Sequence, residues 1–122
     1  MKFKNFVTFI LLLLILVSCS NTQNDTLDSN LSTLEGVIAD KANNNQRLLV
    51  IPNIDKSDLT NKDLNDLLNL AEQNNGIYFN VSKEEYENYN IGDKVLVEYD
   101  IEGDVEESNP PIRPAVKIRS LD

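Results

Sequence analysis

The sequence predicts a small, mainly β domain of the α+β kind: a five-stranded, partly open, OB-like barrel (the oligonucleotide/oligosaccharide-binding type) with one amphipathic helix between strands two and three. Three observations lead there. Short segments with apolar residues at alternate positions recur along the chain, a single stretch places them at helical spacing, and Gly, Pro and Asn punctuate the rest. A twisted open sheet packed on the helix fits the same order of elements.

Residues 34–40 and 47–51 are apolar and β-branched, and they flank Lys41-Ala42-Asn43-Asn44-Asn45-Gln46. Asparagines tolerate left-handed turn geometry, so the two segments form a hairpin. Pro52 lacks a backbone donor and closes the second strand. Thr60, followed three residues later by Asp63, predicts a capping box, with Leu59 and Leu64 placed to staple the helix start. Leu64, Leu67, Leu68 and Ala71 then repeat at helical spacing until Asn75-Gly76 supplies a stop. The spacing predicts a helix over 61–73 whose Leu stripe faces the core.

Beyond the helix, Ile77, Phe79 and Val81 alternate with Tyr78 and Asn80 as in a half-buried strand. Ser82 and Glu85 make a second capping box for a short helical turn through Tyr86 and Tyr89. Ile91-Gly92-Asp93-Lys94 turns the chain into a strand over 95–101, with Val95, Val97 and Tyr99 on one face, and Gly103 marks the next turn. Pro110, Pro111 and Pro114 exclude a helix and confine pairing to a final strand over 115–121. In that strand Val116 and Ile118 are expected inward, Lys117 and Arg119 outward.

The N-terminus has a different design. Met1-Lys2-Phe3-Lys4-Asn5 is positively charged, and residues 6–17 are apolar but for Thr8. This is the layout of a secretory signal, and it is shorter than the roughly 20 residues a membrane-spanning helix needs. Leu16-Val17-Ser18-Cys19 resembles the bacterial lipobox. The expectation is a signal peptide over 1–18, cleaved to leave Cys19 lipidated on the extracytoplasmic face of the cell membrane. Two acyl chains anchor stably, at about 0.8 kcal/mol per buried methylene. Residues 19–33 are polar, contain two Leu and read as the lipidated Cys and a flexible tether. The tether spans on the order of 20 Å. The globular domain is expected over 34–122.

Eleven basic side chains stand against twenty acidic ones; losing Lys2 and Lys4 with the signal leaves nine, so the mature chain carries a formal −11. Such a charge repels nucleic acid and anionic headgroups and attracts cations or a basic protein or peptide, although it also serves simply to keep a surface protein soluble. With Cys19 committed to lipid no cysteine remains for a disulfide, so stability must come from the core. Asn occurs 17 times and Lys exceeds Arg, which resembles the usage of AT-rich Gram-positive genomes.

The run over 36–118 resembles the YobA-like family of small Gram-positive lipoproteins, a domain of unknown function. The resemblance rests on the hairpin, the amphipathic helix, the turn Gly92-Asp93-Lys94-Val95, and Glu107-Ser108 leading into a Pro-containing end. Asn109 stands where the family pattern carries an aromatic. The resemblance implies a lipoprotein with a small β-rich domain and implies no activity.

Chemistry is bounded by elimination. The sequence has no His and four dispersed glycines, which exclude His-based triads, imidazole metal sites and Gly-rich phosphate loops. No cofactor is implied. Carboxylates remain, and Asp100, Glu102, Asp104 and Glu106 would share one side of a strand continued through Gly103, as weak candidates for a hard cation such as calcium. An exposed acidic hairpin end that blocks edge pairing is the stronger reading of them. Tyr78, Tyr86, Tyr89 and Tyr99 suit either a binding patch or tyrosines bridging core and solvent. Two functions stay open: a non-catalytic binding module of the envelope, and a small carboxylate-dependent hydrolase acting on an envelope carbohydrate.

Overall fold

A computed structural model describes residues 30–122. The expected signal peptide, Cys19 and the tether as far as residue 29 lie outside the described residues. Six strands and two helices follow in the order β1 (Leu31–Ala42), β2 (Arg47–Ile51), α1 (Leu64–Asn74), β3 (Ile77–Asn80), α2 (Lys83–Asn88), β4 (Lys94–Asp100), β5 (Ile112–Pro114) and β6 (Lys117–Ser120). They form one curled, half-barrel sheet in the order β5-β3-β2-β1-β4-β6, with β3 and β5 parallel and the other pairs antiparallel.

The strand count departs from the expected five, and the prolines are the reason. Pro114 was expected to keep this part of the chain out of the sheet, yet Ile112–Pro114 pairs with Tyr78–Asn80 at an edge, where a missing donor is tolerated. The chain then changes partner within two residues. Ala115 N donates to Asn80 O on β3 at 3.0 Å, and Val116 N donates to Glu98 O on β4 at 2.8 Å. The expected final strand over 115–121 is shortened to β6, an additional strand β5 precedes it on the opposite edge of the sheet, and the handover between them breaks the inside-outside alternation. Val116, expected inward, is 57% exposed, while Ile118 is buried and Lys117 and Arg119 face out as expected.

β1 begins at Leu31, three residues before the expected domain start, because Leu31, Ser32 and Thr33 pair with Asp100, Tyr99 and Glu98. Its first half pairs with β4 and its second half with β2, with Val37 paired to both, and at the neighbouring Gly36 a Cβ would lie 2.6 Å from Ile51 O. A bulge between Ile38 and Asp40 then shifts the register.

Both faces of the central strands are covered. Inside the curl, Ile38, Leu48, Val50, Phe79, Val95, Val97 and Ile118 form the main cluster, and Tyr86, Tyr89 and Tyr99 pack against it. Helix α1 lies on the outer face, where Ala71 joins Ala39, Leu49 and Ile51, with Leu67, Leu68 and Leu70 alongside. The helix starts at Leu64 rather than residue 61. Asn61 adopts a left-handed φ of 60°, which a helix cannot include, so the cap is Asp63, whose side chain accepts from Asp66 N. Leu64, expected in the core stripe, is 53% exposed in the first turn. Asn75 ends the helix in the left-handed conformation, and the Ser82–Glu85 capping box forms as expected.

Candidate functional site

The outer face of β2, β3 and β5 is only partly covered by α1. Period two sends Arg47 and Leu49, Tyr78 and Asn80, and Ile112 and Pro114 to this face. Helix α1 covers the Leu49 end. The remainder is a cleft of about 300 Å³ whose lining includes Leu68 of the helix, Tyr78 and Ile112 of the sheet, Pro110 of the β4–β5 loop, and Ala42 and Arg47 from either side of the β1–β2 turn.

Polar groups around the cleft are engaged with one another. Tyr78 Oη donates to Asp40 Oδ2 at 2.7 Å, and Arg47 Nε donates to Asn80 Oδ1 at 3.0 Å. Ser108 Oγ donates to the Pro110 carbonyl at 2.7 Å, and an Arg47 terminal nitrogen lies 3.6 Å from Glu106 Oε2. Burial raises the Tyr78 hydroxyl's pKa well above its ordinary range, and the hydrogen bond to Asp40 adds to the effect. The arrangement surrounds apolar residues with polar groups that, apart from Asn109, bond one another.

The four candidate carboxylates do not converge. β4 ends at Asp100, whose Oδ1 accepts from Glu102 N at 2.9 Å as the chain turns, with Gly103 N donating to Asp100 O. Asp104 lies beyond this turn, and Glu106 pairs through its backbone with Ile112 and through its side chain with Arg47. No continued strand aligns them. Among the described residues no group of three or more Asp or Glu side chains is placed to hold a metal ion. The segment they occupy is a loop beside the cleft, not the end of a hairpin.

The tyrosines also separate. Tyr86 bonds Asn43, and Lys41 Nζ sits 4.4 Å above its ring while donating to the Tyr89 carbonyl. Tyr89 Oη donates to Ile118 O at 3.2 Å. Tyr99 lies 5.6 Å from Phe79, centroid to centroid, with the Arg113 guanidinium 5.3 Å from its ring. These three bridge core and solvent on the inner side, and Tyr78 alone belongs to the outer cleft. The sequence reading missed Leu68, Arg47 and Ile112 as neighbours of Tyr78. The parity of each strand was a usable signal, but it required β5, which the prolines concealed.

A family model described as "Protein of unknown function (DUF3221)" matches residues 35–122. The chain belongs to this family. No curated protein matches it. Among solved structures it is similar to a crystal structure of the YobA protein of Bacillus subtilis, at 24% identity and a TM-score of 0.58, covering 75% of this chain and 95% of that one. An NMR solution structure of Bacillus subtilis YobA gives the same identity and TM-score over 84% of this chain and 91% of that one. At this identity the likeness speaks for the curled β fold.

Proposed function

We propose that this DUF3221 protein is a lipid-anchored, extracytoplasmic binding module of the cell envelope, non-catalytic, which meets its ligand through the cleft on β2, β3 and β5. The observation that carries the reading is where the cleft lies. Barrels of the oligonucleotide/oligosaccharide-binding type take ligands on the face of strands two and three, between the β1–β2 and β4–β5 loops. Here the cleft occupies that face, with Arg47 at the first loop and Pro110 in the second. The path of residues 112–120 from β3 to β4 supports the same barrel type. A glycosidase would need two carboxyl groups facing one cleft roughly 5 to 10 Å apart, and none lines this one.

Anchoring is supported by the charged-then-apolar N-terminus and by Leu16-Val17-Ser18-Cys19, which make Cys19 the lipid attachment point. Two measurements test the reading. Cys19→Ala should abolish incorporation of labelled palmitate, and persistence of label would overturn the anchor. A photo-cross-linking residue placed at Asn109, beside the cleft, should yield adducts in cells, whereas one at Lys117 on the outer face of β6 should not. Equal yields from both positions would remove the cleft as the binding face.

A further inference from the structure

We infer that the cleft accepts one apolar side chain of a basic peptide segment, and that carboxylates of the β4–β5 loop hold the Lys or Arg residues flanking it. This rests on the preceding reading of the cleft as the binding face and names the ligand class.

The polar frame argues against a sugar. Recognition of hydroxyls needs free donors and acceptors at the ligand, and an analogue that leaves buried polar groups unpaired is rejected. Here the Tyr78 hydroxyl is given to Asp40, Arg47 Nε to Asn80, and the Ser108 hydroxyl to the Pro110 carbonyl, which leaves the Asn109 amide and the Arg47 terminal nitrogens at the rim. The apolar part of the lining is Ala42, Leu68, Pro110 and Ile112, together with Tyr78. A site of about 300 Å³ has room for a Leu or Phe side chain. An apolar anchor in such a pocket is the usual centre of a peptide interface.

Charge sets the neighbours of that anchor. Residues 101–111 contain Glu102, Asp104, Glu106 and Glu107 and no Lys or Arg, and all four carboxylates are exposed. Glu106 reaches Arg47 at the rim and neutralises the cation nearest the pocket. The other three remain available on the loop that supplies Pro110 and Ser108 to the cleft. An acidic segment would be repelled there, and a basic one drawn in by a field that salt screens within about 10 Å at 0.1 M.

The test uses the full chain in neutral detergent with fluorescein-labelled peptides read by anisotropy. Lys-Lys-Phe-Lys-Lys should bind at least tenfold more tightly than Lys-Lys-Ser-Lys-Lys or Glu-Glu-Phe-Glu-Glu, and its affinity should fall at least tenfold between 0.05 and 0.5 M salt. Ala42→Phe, which fills the pocket, should weaken it tenfold or more; Asn109→Trp, at the exposed rim, serves the same purpose should Ala42→Phe not fold. Combined Glu102→Gln, Asp104→Asn and Glu107→Gln should weaken it while leaving the melting temperature in place. Equal binding of the Ser or Glu peptides overturns the inference. Binding of chitotetraose that Ala42→Phe abolishes also overturns it, while the cleft stands as the binding face. If neither pocket-filling variant changes the binding of any probe, both readings fail.

Discussion

The hydroxyl of Tyr78 on β3 is shared with Asp40 on β1 across β2, the one strand between them, and its proton is held well beyond the ordinary tyrosine value of 10.0. The unfolded chain releases that proton from about pH 10 and the folded chain does not, so the unfolded state binds fewer protons and stability falls as pH rises past 10. Tyr78→Phe should therefore flatten the alkaline decline of the urea midpoint between pH 8 and pH 11. At pH 8 it should cost about 1 to 2 kcal/mol, since Asp40 loses its donor. An unaltered alkaline slope would show that Tyr78 does not carry the effect. That tyrosines bridge core and solvent was legible from their amphipathic character, and Tyr86, Tyr89 and Tyr99 do so. The Asp40 partner was not. Strict alternation from Ile38 would turn Asp40 inward, and only the bulge between them brings it out beside Tyr78.

At the level of elements, helix α1 shows how one residue selects between two equivalent signals. Thr60 with Asp63 and Asp63 with Asp66 both have capping-box spacing, and the left-handed Asn61 excludes the first. Asp63→Ala should lower stability by about 1 kcal/mol, while Thr60→Ala should stay within about 0.5 kcal/mol of the parent in denaturant unfolding. Equal effects would restore the earlier start. The Leu stripe divides in the same way. Leu67 is half-buried against the outer cluster and Leu64 is exposed, so Leu67→Ala should cost about 1 to 2 kcal/mol and Leu64→Ala little. The full 2 to 5 kcal/mol of a core Leu truncation is not expected at either site. Periodicity revealed that a helix exists and which side it buries. It could not say that Ala71, the smallest residue of the stripe, is the one fully enclosed, because that depends on how closely the backbone approaches β2.

For the molecule as a whole, the order of elements as far as β4 was readable because alternation and turn residues are local properties, whereas closure of the sheet is not. The handover at Ala115 and Val116 and the early start of β1 both depend on partners far along the chain, as does the gathering of Leu68, Tyr78 and Pro110 into one cleft. The start of β1 gives a test of the domain boundary. Leu31, Ser32 and Thr33 pair with the last residues of β4, and Asn30 O accepts from Ile101 N at 3.0 Å. The same end of β4 is held from the other side by Arg113, whose guanidinium reaches the Asp100 and Ile101 carbonyls at 3.3 Å. A chain starting at Leu34 leaves those β4 groups to water and uncovers one side of Tyr99. Two to three ladder bonds at about 1 kcal/mol each put the loss at about 2 to 3 kcal/mol, a large part of the roughly 5 to 15 kcal/mol that holds a small domain together. A chain starting at Asn30 keeps every one of these contacts. The two should therefore differ in urea midpoint, with faster amide exchange at Glu98 to Ile101 in the shorter one. If they unfold together and exchange alike, Leu31 to Thr33 belong to the tether after all and the domain begins at Leu34.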